Sequence, residues 1–400
     1  MNPRFGPAHF YGLLALGGAL VLIGLGSAHF MEVHGHIVTG MNNQVVWGLP
    51  HVFAIFMIVA ASGVLNVASI GSVFGQTIYK PRAPLSGLLC LAMLAGGLMV
   101  LMLDLGRPER VIVAATHYNP TSVFAWNVLL YSGMFAIVAL YLWTMFERSM
   151  NRHAKSAGLL ALAWRFVLTT GTGSIFGFLV ARQAYASAVL APLFIVLSFA
   201  WGLAVFLVVQ SAMYAWNAQV LDAAVQRRMA RLLGVFVVAA FYLVVVYHLT
   251  NLYFERQAAF EAFILLGRGD SGGIFPLLLW GGYALAGTAL PLLLLFHPRL
   301  AGPRATQAGA LLVVLGAFAW LYVFIIGGQA FPLEIFPGYT ASSSFGDGAV
   351  AHYAPRWPEW LLGLGGVALA FVLTTVGVRV LDFMPQDDFA TVKAGAKVSP

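Results

Sequence analysis

Apolar residues in this chain gather into long runs at roughly 9–31, 48–75, 84–103, 123–146, 160–181, 187–212, 232–253, 274–296, 308–328 and 359–381. Each approaches or exceeds the roughly 20 residues that a helix needs to cross a hydrocarbon core. The pattern predicts an all-α membrane protein of about ten transmembrane helices. Residues 1–400 read as a single integral membrane domain, because no segment between the runs is long enough to fold separately. The first run is longer than the roughly 7–15 apolar residues of a signal peptide and reads as an uncleaved helix. The longest connection, Gln329 to Pro358, is rich in Pro, Gly and aromatics, and the tail after Asp382 is short and polar.

Composition agrees with that reading. Hydrophobic residues make up 60% of the chain and charged residues 9%, with a mean hydropathy of +0.87. A soluble domain carries roughly 25% charged residues; so few charges could not cover a water-facing surface of this size. The net charge of +7 does not point to nucleic acid, since the basic residues are scattered singly over short loops. Lys and Arg favour the side that holds the N-terminus, about fourteen to six, which predicts both termini cytoplasmic; the expected location is a bacterial cell inner membrane. Arg165, inside the fifth run, is expected to snorkel toward the inner surface. Cys90 lies in an apolar run and reads as a packed core residue; as the only cysteine it excludes an intrachain disulfide or Cys-ligated cluster. Several Trp residues fit interfacial belts, whereas Trp201, Trp280 and Trp320 sit deeper, as helix-packing residues would. Small-residue stretches such as Ala60-Ala61-Ser62-Gly63 and Gly171-Thr172-Gly173-Ser174 suit close helix approach.

Candidate chemistry collects at the predicted outer ends of the helices. His29, His34 and His36 close the first run, Trp47 and His51 open the second, and Asp104 and Arg107 end the third. His117, Tyr118 and Asn119 precede the fourth, and His248, Asn251, Tyr253 and Glu255 end the seventh. Hydrogen-bonding and proton-exchanging groups at one depth are what a quinone headgroup requires, because a quinol must lose two protons while its tail stays in lipid. Taken singly, each of these residues also fits a helix end facing headgroups and water. Asp104 and Arg107, three apart, are spaced to pair on one helix face, with Gly106 and Pro108 as a helix stop.

Three motifs carry a resemblance: Trp47-Gly48-Leu49-Pro50, Asp104-Leu105-Gly106-Arg107 and Asn119-Pro120-Thr121-Ser122. With them the chain resembles the NrfD, or polysulfide-reductase membrane-subunit, family over nearly its whole length. The stretches Gly40–Phe53 and Thr172–Gln183 resemble its DsrP branch, the integral membrane subunits of sulfite-reductase-associated Dsr complexes. The resemblance implies two four-helix bundles with flanking helices and an anchor that binds menaquinone or ubiquinone near the outer face. It also implies electron exchange with a periplasmic ferredoxin-like iron–sulfur subunit. A Dsr-type complex of sulfur metabolism would further hold a multihaem cytochrome c, a haem b membrane subunit and a cytoplasmic iron–sulfur subunit. On matching positions the resemblance implies Asp104 and Arg107 as a proton-transfer pair and a quinone wall around His51. Trp47, His29, Asn119, His248 and Tyr253 are the further candidate contacts.

Two alternatives remain open on sequence. His51 with His248, or with His29, is a candidate pair of axial ligands for haem b. A proton pump or transporter of similar architecture is the other, although Asp and Glu are nearly absent at mid-membrane positions; hydroxyls along Thr169 to Ser174 would form part of its path.

Overall fold

The computed structural model describes residues 7–217, 221–267, 273–333, 348–381 and 383. Ten helices among them are long and apolar enough to cross a membrane. They are α1 (Ala8–His34), α2 (Leu49–Ser72), α3 (Thr77–Leu103), α4 (Val123–Phe146), α5 (Arg148–Gly177), α6 (Leu190–Trp216), α7 (Ala223–Tyr253), α8 (Ile274–Phe296), α9 (Pro303–Ala330) and α10 (Trp357–Val380). The predicted runs match them, with α3, α5, α7 and α9 beginning several residues earlier than their apolar cores. Two short surface helices have no counterpart among the runs: Val111–Thr116, and Glu255–Leu266 after α7.

Helices α2 to α5 form one bundle and α6 to α9 a second, with α1 and α10 packed together and α10 against α2 and α3. The bundles join at α2 and α6, where small residues decide the spacing. A Cβ on Gly63 would collide with the Ser198 carbonyl, and one on Gly202 would collide with the Gly63 backbone. Without a hydrophobic drive between helices in lipid, such backbone approach supplies dispersion contact. In α2 every residue of Leu49–Val64 is buried except His51.

Arg165 corrects an expectation. Its side chain is buried, its guanidinium donates to the Ser62 carbonyl at 3.3 Å, and it lies over Phe166 and Phe199. It therefore stays within the helix bundle, because carbonyl and aromatic partners are available there. Trp280 departs in the other direction: it is exposed and donates to the Leu265 carbonyl at 3.0 Å, so it is not a deep packing residue. Trp201, Trp320 and Cys90 are buried as expected. The chain termini and the 334–347 part of the long connection lie outside the described residues.

Among the described residues, two helices contain π-helical stretches. Leu277–Ala289 of α8 and Val323–Gly327 of α9 are π-helical, a wider winding that leaves backbone carbonyls for other donors. In α9 those carbonyls are used: the Tyr185 hydroxyl donates to Ile325 O at 2.8 Å and lies 3.2 Å from Phe324 O.

Candidate functional site

Even numbers of crossings return the chain, so the starts of α2, α4, α6, α8 and α10 and the ends of α1, α3, α5, α7 and α9 share one face, called here the site face. On it the Trp47 indole stacks on the His51 imidazole, with centroids 5.1 Å apart and planes 8° apart. Phe176 meets Trp47 edge-on at 5.6 Å, and the exposed Phe124 lies at 6.4 Å. His51 Nδ1 is 4.0 Å from Asp104 Oδ2, with side-chain exposures of 13% and 5%. That distance is ion-pair range but too long for a direct hydrogen bond, so one oxygen can sit between the two. Asp104 Oδ1 is buried without a partner. Burial, then the negative charge of Glu359, push the Asp104 carboxyl up to about 7.

Local sequence explains how these groups are presented. Gly48 caps α2 in an extended conformation and Pro50 enters the first turn, where a missing N–H costs nothing. A side chain at Gly48 would strike Glu359 Oε1 at 2.8 Å and the Tyr353 hydroxyl at 2.9 Å. Tyr353 Oη accepts from Leu49 N–H at 2.6 Å and donates to Glu359 Oε1 at 3.1 Å, while Glu359 Oε2 accepts from Arg356 N–H at 2.7 Å. Burial and Glu359 push the Tyr353 phenol up, so it stays a donor. At the end of α3, Gly106 adopts φ +72°, a left-handed turn that favours glycine, and packs against His36, whose Nε2 is also buried without a partner.

A side chain from the second bundle frames the Trp47 peptide. Gln329 Oε1 accepts from Val46 N–H at 3.1 Å and Trp47 N–H at 2.9 Å, and its Nε2 donates to Trp47 O at 3.0 Å and Ile325 O at 2.9 Å. Arg182 donates to Gln329 O and Gln44 O, both at 2.9 Å. Burial lowers the Arg182 pKa, with the neighbouring Tyr185 opposing. Sequence reasoning missed Gln329, Arg182, Glu359 and Tyr353, since a lone polar residue near a helix end carries no signal of its partner.

The structure separates the predicted candidates. Trp47, His51 and Asp104 come together. Arg107 is exposed and forms no ion pair with Asp104, because α3 ends at Leu103 and the left-handed turn at Gly106 carries Arg107 away. His29 is exposed on α1, whose opposite face meets α10. Asn119 is exposed and spends its Oδ1 on Thr121 N–H (3.0 Å) and Thr121 Oγ1 (2.8 Å), while Ser122 caps α4, so that motif starts a helix. Tyr253 is 86% exposed and stands outside any cluster.

His248 belongs to a different cluster. Its Nδ1 lies 2.8 Å from Glu261 Oε2, and Asn251 Nδ2 donates to Glu261 Oε1 at 2.7 Å. Between His51 and His248 runs a chain of rings, Trp47, Tyr185, Phe324 and Tyr247, at centroid distances of 6.4, 5.2 and 6.2 Å. A porphyrin held by both imidazoles would have to displace these rings, so the residues present do not fit a bis-His haem there.

Residues 37–333 match the family model described as polysulphide reductase, NrfD. This chain belongs to the NrfD family. It is 29% identical over 378 residues to the Hdr-like menaquinol oxidoreductase integral membrane subunit of Archaeoglobus fulgidus, covering 92% of this chain and 94% of that one. It is 27% identical to a putative dimethyl sulfoxide reductase membrane subunit of Halobacterium salinarum (92% and 90% covered). It is 21% identical to a selenate reductase subunit of Mesobacillus selenatarsenatis (90% and 92%). This NrfD-family chain is thus a multi-pass membrane protein similar over nearly its full length to membrane subunits of oxidoreductase complexes. In it, the motif at Trp47–Pro50 builds the aromatic wall, and the motif at Asp104–Arg107 places one carboxylate against it.

Proposed function

We propose that this NrfD-family subunit exchanges electrons between the membrane quinone pool and a partner protein, with the headgroup bound between Trp47, His51 and Asp104. The observation that carries the reading is the stacked Trp47–His51 pair beside a carboxylate with a free oxygen, at the one incompletely buried position of Leu49–Val64. The indole supplies a flat apolar wall. His51 supplies a nitrogen for a quinol hydroxyl, and Asp104, held near neutrality, accepts a proton as the quinol is oxidised. Exposed Phe124 beside Trp47 marks where the tail leaves toward lipid.

The name of the Archaeoglobus relative, a menaquinol oxidoreductase subunit, supports menaquinone, with ubiquinone the other pool. In the finer form of this reading the chain is a DsrP-type subunit of sulfur metabolism in a bacterial inner membrane. Its site face is periplasmic and receives a ferredoxin-like iron–sulfur subunit. The assembly further holds a multihaem cytochrome c, a haem b membrane subunit and a cytoplasmic iron–sulfur subunit. The test is quinol oxidation by the purified complex bearing His51→Ala or Asp104→Asn, with assembly checked by co-purification. Turnover should fall with assembly intact; unchanged turnover in both variants overturns the assignment.

A further inference from the structure

The first turns of α10 pack along the end of α3. A Cβ on Gly366 of α10 would strike the Val100 side chain of α3, so the two helices touch there. They run antiparallel. Asp104, one turn beyond Val100, and Glu359, two turns before Gly366, therefore share the facing sides of this seam at the site face. Both are shielded from water: Glu359 is wholly buried and the Asp104 side chain is 5% exposed. Gly48, whose carbonyl accepts from His51 N–H, also abuts this carboxyl, since a Cβ there would lie 2.8 Å from Glu359 Oε1. Glu359 thus stands behind the Trp47, His51 and Asp104 group, on a helix beyond the residues 37–333 that match the family model.

Among the described residues the Glu359 carboxyl is held by donors. Tyr353 Oη donates to Oε1 at 3.1 Å, Arg356 N–H donates to Oε2 at 2.7 Å, and Gly40 N–H adds a third bond. Donors suit the ionised group, because a carboxylic acid would need an acceptor for its own proton. Asp104 Oδ1, by contrast, has no partner. The other titratable or charged groups around the pair are His51 on α2, Tyr322 on α9, Tyr353, the exposed Arg356, and His36 against Gly106. Two carboxylates in one water-poor seam repel each other, and the one with fewer donors takes the proton first.

We propose that Glu359 is a positioning residue for proton transfer at the quinol site: its fixed negative charge makes Asp104 the carboxyl that accepts the proton. The proposal rests on the reading of Trp47, His51 and Asp104 as that site. Glu359 acts through Asp104 and gives α10 a part in the chemistry as well as in packing.

The test is a pH titration of the Asp104 carboxylic C=O band by infrared difference spectroscopy, on the purified protein in nanodiscs. Loss of the band in Asp104→Asn assigns it. Glu359→Gln removes the charge and keeps the helix start, because Gln serves at that position of a capping box as Glu does. The Asp104 midpoint should then fall by about one pH unit, and the rising limb of the quinol pH–rate profile should move with it. Tyr353→Phe keeps both carboxyls but takes one donor from Glu359, so it should lower the Asp104 midpoint in the same direction. Glu109→Gln, which neutralises an exposed carboxylate close to Asp104 in the chain, should leave it in place. Unmoved midpoints in both Glu359→Gln and Tyr353→Phe, whatever their melting temperatures, overturn the proposal and leave Glu359 a helix cap. An equal fall in Glu109→Gln overturns it too. A midpoint that falls in Glu359→Gln while Asp104→Asn leaves turnover unchanged upholds the coupling of the two carboxyls and counts against the quinol site alone.

Discussion

The Trp47 indole lies flat on the His51 imidazole, 5.1 Å between centroids and within 8° of parallel. The two residues are separated by the turn that starts α2, and the stack holds the imidazole edge toward Asp104. Removing the indole should free the ring and remove the apolar wall together. For Trp47→Leu we expect the quinol KM to rise roughly tenfold, equivalent to about 1.4 kcal/mol, in steady-state assays at fixed pH.

Asp104 makes the site pH-dependent. Its folded-state pKa of about 7 lies above the ordinary carboxyl value of 3.8. The proton-accepting form therefore grows as pH rises through 7, and quinol oxidation should rise over that window and level off. In Asp104→Asn that limb should vanish, with the plateau rate lower by about a hundredfold; pH–rate profiles of both proteins decide it.

The same shift has a stability sign. A carboxyl whose pKa is raised on folding favours the fold most below its unfolded value and loses that contribution as pH climbs through the folded one. Asp104→Asn removes the charge that wild type must bury above pH 7. The variant should melt higher than wild type at pH 8, by up to a few kcal/mol in stability, with the advantage smaller at pH 5 and gone only below the ordinary carboxyl value of 3.8. Thermal unfolding in detergent at the two pH values is the measurement.

Gln329 carries the Trp47 segment on both sides of its amide. Gln329→Leu leaves two peptide N–H groups and one carbonyl of that segment without this partner, at about 1–3 kcal/mol for each group kept from water. Reduced melting temperature together with a raised quinol KM is expected. A fall in stability with KM unchanged would make Gln329 a purely structural residue.

Arg107 and Gly63 test the architecture. Arg107→Ala should change stability by no more than about 0.5 kcal/mol, since Arg107 is exposed and does not pair with Asp104. Gly63→Ala drives a methyl group into the Ser198 carbonyl of α6 and should abolish folded yield, whereas Gly18→Ala, with nothing within 4 Å, should be silent. Melting temperature reports the first, and monodispersity on size exclusion the two glycine variants.

Much of the site is legible in the sequence. Trp47, His51 and Asp104 announce themselves because polar and aromatic groups at the ends of apolar runs are few, and each stands in a short motif. The Asp104–Arg107 pairing failed for a local reason: spacing of three predicts a shared face only while the helix continues, and Gly106 ends it in a left-handed turn. Asn119 failed because an Asn before Pro can satisfy its own turn. His248 was legible as a polar residue at the right depth, but its partner Glu261 lay in what reads as a loop and folds as a helix that buries it.

The sequence by itself determined how many times the chain crosses the bilayer, because helix length against membrane thickness and the cost of charge in hydrocarbon act on each run separately. It also determined which face gathers proton-exchanging side chains, since alternation of crossings sorts the loops. Only the tertiary structure decided which of those side chains meet. That depends on helix rotation and on contacts between residues far apart in the chain, such as Gln329 with Trp47. Packing in lipid is settled by backbone approach at glycines and by satisfaction of buried polar groups, and neither has a signature within a single run.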